Sequence, residues 1–246
     1  MQKNKLKFMN TKYKRILLKL SGEVFAGSKE FGIEPAIASQ IADDVAEIHA
    51  IGTQVAIVIG GGNIIRGASA QGVSRVAGDA MGMLATVINS IAFKEYLESK
   101  GIPSRVLTAV RIDRAGEYYT PELAIEYLNK GFVVILAGGT GNPFFTTDTA
   151  AALRCAEINA DVLMKATKVD GVYDSDPMKN PDAVRFDSIS HADALAKELK
   201  VMDSTAFSFC LENSIDIIVF KLLDKGNLRR CVERQPIGST VKTGGK

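Results

Sequence analysis

The chain has 246 residues, of which 46% are hydrophobic and 24% charged, as in ordinary globular proteins. Its 30 basic and 28 acidic side chains leave a net charge of +2, too small for the strong positive field of a general nucleic-acid binder. No apolar stretch approaches the roughly 20 residues that span a bilayer, so no membrane association is expected.

The basic N-terminal segment is followed by a short apolar run, 16–20, which is interrupted by Lys19 and ends at Ser21 and Gly22. A signal peptide would need a longer apolar region, so we predict that residues 1–12 form a flexible basic tail. Residues 13–246 contain no Pro- or Ser-rich linker and no internal repeat, and we predict that they form a single domain.

Apolar runs of strand length alternate with helical patterns along the chain. The predicted strands are 16–20, 55–59, 106–110, 132–137, 162–164 and 217–220, and the predicted helices are 35–51, 79–99, 121–129 and 149–158. In the second helix, apolar side chains recur at three- and four-residue steps and are predicted to face the core: Met81, Leu84, Ile88 and Ile91. The alternation predicts an α/β fold, a three-layer αβα sandwich with a mostly parallel central sheet.

Cysteine and histidine are too few for several common kinds of site. Cys155, Cys210 and Cys231 lie far apart in predicted helical regions and form no CxxC pair. This argues against a disulfide framework or a zinc site and favours a reduced, cytoplasmic setting. His49 lies near the end of one predicted helix and His191 near the start of another, so both are interpreted as structural. Neither a Ser-His-Asp triad nor a His-rich metal site is expected.

Glycine-rich segments follow three predicted strands, at 19–23, 60–63 and 138–143. The carboxyl ends of parallel strands meet at one sheet edge, and glycine backbones there can form anion-binding concavities. One such segment is more simply a turn, but three in equivalent positions, two with a basic residue nearby, predict a phosphate site. The chain has neither the P-loop pattern nor G-x-G-x-x-G, so another arrangement must bind the phosphates.

Charged and hydroxyl side chains flank these glycine segments. Lys19 lies inside an apolar strand, where it needs a negative partner such as a polyphosphate unless its ammonium group reaches water. Thr146 and Asp148 precede a predicted helix and can cap it; alternatively, the carboxylate can hold Mg²⁺ or orient a lysine. Tyr173, in a predicted turn, either packs on a nucleotide or is a surface side chain.

Together these motifs resemble those of bacterial uridylate kinases, in the amino-acid kinase superfamily, over residues 13–243. The matching pieces are KLSGE (19–23), VIGGGN (58–63), GDAMGMLAT (78–86), GGTGNPFFTTD (138–148), MKATKVDGVYDSDP (164–177) and VMDSTAF (201–207). The fourth is the most specific, because related acetylglutamate, aspartate, glutamate 5- and carbamate kinases share the lysine and glycine loops but replace this segment. One departure is that the stretch between Arg66 and Asp79, a lid over the nucleotides, is shorter here and lacks a lysine.

The resemblance implies which residues bind each nucleotide. ATP would be bound by Lys19, Leu20, Ser21, Gly22, Gly62, Arg66, Thr167, Tyr173 and Asp176. UMP would be bound by Gly61, Asp79, Thr140, Gly141, Asn142, Pro143, Phe144, Phe145, Thr146 and Thr147, with Asp79 on the ribose. The resemblance also implies a homohexamer that is activated by GTP and inhibited by UTP. The family's GTP-responsive loop corresponds to Gly27, Ser28, Lys29, Glu30, Phe31 and Gly32.

The implied reaction transfers the γ-phosphoryl group of ATP, with Mg²⁺, to UMP. The acceptor phosphate, with a second pKa of about 6, is mostly dianionic at pH 7 and needs no general base. We assign Lys19 to the β- and γ-phosphates, Arg66 to phosphate clamping, and Asp148 to orienting Lys19 or the metal-bound phosphates. Lys165 and Asp203 are further catalytic candidates, although each also fits a structural ion pair.

Two other functions fit parts of the sequence. A kinase of the same fold acting on a carboxylate or carbamate would need a site for a small acid, for which the loop with Phe144 and Phe145 is too bulky and apolar. A non-catalytic nucleotide sensor that binds DNA could use the basic tail, but the near-neutral net charge gives it little support. Thr140, Asn142 and Thr147 can hydrogen-bond a base edge, whereas the choice of UMP over CMP rests on the resemblance.

Overall fold

The computed structural model describes residues 12–65, 72–199 and 202–243, so the predicted tail, apart from Lys12, lies outside the described residues. The strands are β1 (Arg15–Leu20), β2 (Gln54–Ile59), β3 (Ser104–Thr108), β4 (Glu117–Tyr118), β5 (Val133–Ala137), β6 (Val162–Thr167), β7 (Val172–Tyr173), β8 (Arg185–Phe186), β9 (Ser188–Ser190), β10 (Ile217–Lys221) and β11 (Ser239–Lys242). The helices are α1 (Gly22–Ala26), α2 (Pro35–Ala50), α3 (Arg75–Ser99), α4 (Pro121–Asn129), α5 (Thr147–Glu157), α6 (His191–Ala196), α7 (Ser204–Glu212) and α8 (Asn227–Val232).

One large sheet organises the molecule, with strand order β4-β3-β5-β2-β1-β6-β10-β11-β9. β1 is central and runs parallel to β2 on one side and β6 on the other. β11 is antiparallel to β10 and parallel to β9, so these two strands reverse direction at one edge. β7 and β8 form a separate antiparallel hairpin. The predicted mostly parallel sheet is confirmed.

Helices cover both faces of the sheet because alternate strand residues enter two different cores. Ile16 and Leu18 of β1 pack with α1, α2, α3 and α8, whereas Leu17 packs with α4, α5, α6 and α7. Strands buried on both faces read as continuous apolar runs, which is why the central strands were visible in the sequence. The three-layer αβα sandwich is confirmed.

The last strand ties the β7–β8 hairpin to the large sheet. β11 lies between β10 and β9, so residues near the end of the chain occupy an interior position. Ser239 Oγ accepts a hydrogen bond from the Val172 N–H at 2.7 Å and donates one to the carbonyl oxygen of Phe186. Both strands of the hairpin are therefore bonded to a single side chain of β11.

All six predicted strands and all four predicted helices occur, with shifted ends. The largest shift is in α3, which begins at Arg75 rather than at Asp79. The prediction missed the short strands β4, β7, β8, β9 and β11 and the helices α1, α6, α7 and α8. Strands of two to four residues have no room for a readable pattern. The missed helices have five to nine residues, about two and a half turns or fewer.

The apolar stripe predicted to face the core from α3 instead faces outward. The exposed fractions are 39% for Met81, 49% for Leu84, 49% for Ile88 and 42% for Ile91. A different side of α3 packs on the sheet, through residues that include Val87, Phe93 and Leu97. The prediction was wrong because α3 has two apolar sides, and periodicity alone does not say which one meets the sheet.

α3 is also long and apolar enough to cross a membrane by length and composition, with 25 residues and a mean hydropathy of 1.4 over its best window. The sequence analysis did not anticipate this. Length and composition alone are weak evidence of a membrane span, because a helix in the core of a globular protein meets the same criteria. Phe93 and Leu97 of α3 are fully buried in the core of the sandwich.

The cysteines and histidines have structural surroundings. Cys155, Cys210 and Cys231 lie on α5, α7 and α8 and are buried and unbridged. Burial raises the pKa of the Cys210 thiol to about 12, which leaves it protonated and unreactive at neutral pH. His49 Nε2 lies 2.8 Å from the carbonyl oxygen of Gly131, and His191 Nε2 lies 2.9 Å from that of Ile215.

Candidate active site

The first two glycine segments are in direct contact at the carboxyl edge of the sheet. A Cβ atom on Gly22 would lie 2.6 Å from the carbonyl oxygen of Gly60 and 2.5 Å from Asn63 Oδ1. The Gly60 N–H also donates to the carbonyl oxygen of Leu20 at 2.8 Å. Only glycine fits at position 22, because the backbones of the two turns approach too closely for a side chain.

The third glycine segment is held by α3. The Gly138 N–H donates to Thr86 Oγ1 at 2.8 Å. Gly138, Gly139 and Gly141 have φ values of 79°, 60° and 80°, in the left-handed region that favours glycine. The loop therefore needs its glycines for backbone shape, and it is fixed to a helix on the opposite side of the sheet from α5.

Asp148 joins two lysines from adjacent strands. Lys19 on β1 and Lys165 on β6 are neighbours in the parallel register. Asp148, in the first turn of α5, lies with Oδ1 2.6 Å from Lys19 Nζ and Oδ2 2.6 Å from Lys165 Nζ. The three side chains are only 8%, 15% and 14% exposed for Lys19, Lys165 and Asp148. The cluster is a compact, buried charge arrangement with two cations and one anion.

The electrostatics of this cluster follow from burial and pairing. Burial alone would raise the pKa of Asp148, but Lys19 and Lys165 reverse this and hold the pKa below its usual range. Burial lowers the pKa of Lys165, and Asp148 opposes that shift. Because Lys19 is buried and paired with Asp148, the alternative of a strand-end lysine reaching water does not apply.

A cavity of about 530 Å³ opens beside Lys165 and gathers three of the residues predicted to bind ATP. Thr167, Tyr173 and Asp176 line it, with Tyr173 on β7 and Asp176 in the following turn. Among the predicted ATP residues, Leu20 is fully buried in the core, so only its backbone can serve a ligand. Lys197 and Leu199 also line this donor cavity and were missed, because they lie far along the chain after α6.

A second cavity, of about 140 Å³, gathers seven of the residues predicted to bind UMP. These are Gly61, Asp79, Thr140, Asn142, Phe145, Thr146 and Thr147. Met83 and Thr86 of α3 line it as well and were missed. Gly62, predicted at ATP, also lines this acceptor cavity. Gly141, Pro143 and Phe144 do not line it, and Phe144 is 63% exposed.

Asp79 fixes the loop that borders the acceptor cavity. Its Oδ2 accepts hydrogen bonds from Arg75 Nε and from the Phe144 N–H, both at 2.8 Å. The bond from Arg75 and then that from Phe144 lower the pKa of Asp79, so it is a carboxylate at neutral pH. Phe144 has a φ of 72°, unusual for a non-glycine residue. Arg75 was missed because nothing in its spacing links it to Phe144.

Asp203 is a helix cap rather than an ion-pair member in the described residues. Its Oδ1 accepts the Ala206 N–H at 3.0 Å and so begins α7. Its carboxylate also accepts the Thr149 hydroxyl at 3.1 Å and the Thr146 hydroxyl. Thr146 in turn caps α5, through the N–H groups of Asp148 and Thr149. Asp203 thus supports the helix that carries Asp148.

The predicted phosphate clamp lies outside the described residues, whereas the predicted GTP-responsive loop lies within them. Arg66, the predicted phosphate clamp, and the first part of the lid stretch lie outside the described residues. The predicted GTP-responsive loop is described: Lys29 pairs with Glu34 at 3.1 Å, and Phe31 is 75% exposed. The Gly32 N–H donates to the Asn63 carbonyl oxygen at 2.7 Å. This loop therefore contacts the second glycine segment directly.

The carboxylates near the cavities fit a metal that arrives with the nucleotide. Residues 12–65, 72–199 and 202–243 contain no group of three His, Cys, Asp or Glu side chains that could enclose a metal ion. Both oxygens of Asp148 are bonded to lysines, which leaves that carboxylate poorly placed as a ligand. Mg²⁺ in kinases is held largely by substrate phosphates, so the donor cavity suits Mg-ATP better than a resident ion.

Comparisons with known proteins agree with this geometry. Residues 14–221 match the model of the amino acid kinase family. The structure is similar to a UMP kinase from Bacillus anthracis, with 34% identity, a TM-score of 0.92 and coverage of 95% of this chain and 98% of that one. A UMP kinase from Ureaplasma parvum is 35% identical, with a TM-score of 0.87 and coverage of 93% and 98%. A uridylate kinase from Archaeoglobus fulgidus is 27% identical, with a TM-score of 0.71 and coverage of 92% and 99%.

Proposed function

The chain belongs to the amino acid kinase family, and we propose that it is a uridylate kinase, transferring the γ-phosphoryl group of ATP to UMP to give UDP. The observation that carries this proposal is the buried Lys19–Asp148–Lys165 cluster, which borders one cavity and adjoins a residue of the other. Lys165 lines the donor cavity, and Thr147, next to Asp148 in the chain, lines the acceptor cavity. Two ammonium groups held this close together are suited to binding a phosphoryl group during transfer.

The residues of the cluster have different roles in phosphoryl transfer. Lys19 and Lys165 stabilise the negative charge that spreads over the transferring group, as do the N–H groups of the glycine segments. Asp148 holds both ammonium groups in place, so little reorganisation is needed when the phosphates bind. Mg²⁺ bound to ATP supplies further charge neutralisation. Arg66 is proposed as an additional phosphate clamp.

The residues that line the acceptor cavity are assigned to different parts of UMP. The acceptor phosphate attacks without a general base, since it is mostly dianionic at pH 7. Asp79 uses Oδ2 for Arg75 and Phe144, and we assign Oδ1 to the ribose hydroxyls. Thr140, Asn142 and Thr147 line the cavity and are assigned to the uracil edge and the acceptor phosphate. The donor nucleotide is assigned to Thr167, Tyr173 and Asp176.

A substrate panel tests this function. Purified protein is assayed with Mg-ATP and each of UMP, CMP, dTMP and N-acetylglutamate, and ADP release is measured by a coupled reaction. We expect turnover with UMP to exceed turnover with every other acceptor by at least about 100-fold, because mismatched bases leave buried polar groups unpaired. Preferred phosphorylation of N-acetylglutamate would instead identify an acid kinase of the same fold. Phosphorylation of no acceptor would favour a nucleotide sensor.

The proposed function extends to regulation, assembly and location. We propose a cytoplasmic homohexamer in pyrimidine nucleotide biosynthesis, activated by GTP through residues 27–32 and inhibited by UTP. The contact between Gly32 and Asn63 supports the GTP assignment, because it links this loop to the phosphate-binding edge. The outward apolar stripe of α3 supports assembly, because another copy of the chain could bury it. The same assay with added GTP or UTP tests the two effectors.

A further inference from the structure

Two asparagines form a buried amide pair beside the glycine segments. Asn63 is the last residue of the second glycine segment and Asn89 lies on α3; their exposed fractions are 2% and 0%. Asn89 Nδ2 donates to Asn63 Oδ1 at 2.7 Å, and Asn63 Nδ2 donates to Asn89 Oδ1 at 3.0 Å. Each side-chain amide thus gives one hydrogen and one oxygen to the other.

The remaining amide hydrogens are directed at two backbone segments. Asn89 Nδ2 also donates to the carbonyl oxygen of Gly60 at 2.7 Å. Asn63 Nδ2 also donates to the carbonyl oxygen of Gly32 at 2.8 Å, and the Gly32 N–H returns a bond to the Asn63 carbonyl oxygen. All four side-chain N–H groups of the pair are satisfied, as buried amides require.

The amide pair fixes where the second glycine segment lies relative to the first. Asn63 Oδ1 is one of the atoms that leave no space for a side chain at Gly22. Rotation of Asn63 would break the bonds inside the pair, and displacement of Gly60 would break the bond that its carbonyl oxygen accepts from Asn89. The direction of the N–H groups at 61 and 62 therefore depends on Asn89, which lies on α3, 29 positions along the chain from Gly60.

Three side chains of α3, the last of which is Asn89, form hydrogen bonds to loops of the site. Asp79 binds the Phe144 N–H, Thr86 binds the Gly138 N–H, and Asn89 binds the Gly60 carbonyl oxygen. Their spacing of seven and then three residues repeats along one side of a helix. α3 thus sets the second and third glycine segments relative to each other.

We propose that Asn63 and Asn89 are positioning residues for phosphoryl transfer, an inference that rests on the proposed kinase function. The pair lines neither cavity, so its role is to hold the 60–62 backbone where the transferring group passes. It also connects residues 27–32 to that backbone. Misplacing a catalytic group by about 1 Å can lower a rate about 100-fold, so a lost positioning contact should mainly affect kcat.

The test compares Asn89→Asp with Asn227→Asp. Asp at position 89 has nearly the same shape but no hydrogens for Gly60 or Asn63. Asn227 is a matched control because it is a buried amide at the start of α8 that donates to the Lys221 carbonyl oxygen and lines neither cavity. We expect kcat for UMP to fall about 10- to 100-fold in Asn89→Asp, with KM values within about threefold of wild type, and to be unchanged in Asn227→Asp.

A wild-type kcat in folded Asn89→Asp, or a rise in KM with kcat unchanged, would overturn the positioning role. Should Asn89→Asp fail to fold, Asn89→Ser replaces it, because the smaller polar side chain leaves space for water. Hydrogen exchange at the backbone amides of residues 60–63 is measured in parallel and should accelerate in the Asn89 variants alone. Exchange equal to that of wild type would also overturn the proposal. This measurement needs no turnover, so it separates a failure of the amide pair from a failure of the proposed function.

Discussion

Asp148 is the one acidic side chain of the buried charge cluster, and it pairs with both of its lysines. Each lysine ammonium group lies 2.6 Å from a different oxygen of the Asp148 carboxylate. Removing one lysine leaves a balanced pair, whereas removing the carboxylate leaves two like charges together. The two kinds of change therefore have different consequences for activity and for stability.

Replacing Lys19 with Met should abolish most activity and preserve the fold. Met has similar length and suits the buried position, and Asp148 keeps its bond to Lys165. We expect kcat to fall by at least about 100-fold, the usual effect of losing one group that stabilises transition-state charge. Initial rates measure this, with circular dichroism to verify folding. Lys130→Met is the control, because Lys130 is 58% exposed on the surface. A kcat near that of wild type would show that Lys19 does not contact the transferring group.

Replacing Asp148 with Asn should destabilise the protein at neutral pH by about 3–5 kcal/mol, the usual cost of breaking a buried charge pair. Because the folded-state pKa of Asp148 lies below its ordinary value of 3.8, its stabilising effect is present above that value and is lost as the pH falls through the lower, folded-state pKa. Urea unfolding of both proteins at pH 7, 5 and 3 measures the difference in unfolding free energy. The difference should persist at pH 5 and shrink at pH 3. A difference that grows towards pH 3 would contradict the pairing.

At the scale of elements, the site is built where turns from separate strands touch. The β1–α1 turn and the segment after β2 meet at Gly22, where a Cβ would overlap the Gly60 carbonyl oxygen. α3 contributes from outside the sheet by holding the segments after β2 and β5. Close contacts between backbone segments therefore set the shape of this sheet edge, on which the side chains of the site are then placed.

Gly22→Ala should lower both stability and activity. The added methyl group would force two turns apart, which costs about 1–3 kcal/mol in well-packed regions. Gly82→Ala is the matched control for stability, because a Cβ at that position on α3 meets no atom within 4 Å. Alanine favours a helix over glycine, so the control should be neutral or more stable by about 0.5–1 kcal/mol. Urea unfolding measures both variants. Equal stability of the two would mean that the turns can separate at no cost.

Much of this element-level architecture could be predicted from the sequence, and the exceptions have physical causes. The central strands were predictable because both of their faces are buried. The outward stripe of α3 was assigned to the wrong side, since its spacing matches that of a core-facing stripe. The glycine segments and Lys19 were recognisable by position, but the roles of Arg75 and Asn89 depend on contacts that only the folded chain creates. Asp203 was visible as a candidate, yet its capping of α7 became clear only from its bonds.

For the whole molecule, the outward apolar stripe of α3 predicts self-association. Replacing Leu84 and Ile88 together with Glu should shift the protein to smaller species, because charges would be buried at a subunit contact. Light scattering coupled to size-exclusion chromatography measures the mass. Met178→Glu is the control, since Met178 is 83% exposed and lies in the loop between β7 and β8. An unchanged mass in the double variant would show that subunits meet elsewhere or not at all.

The interior position of β11 couples one edge of the sheet to the donor cavity. β11 is the neighbour that joins β9 to the sheet. Ser239 on β11 also bonds to both strands of the hairpin that carries Tyr173. Local unfolding of β11 would therefore detach β9 and release the Tyr173 hairpin in the same event.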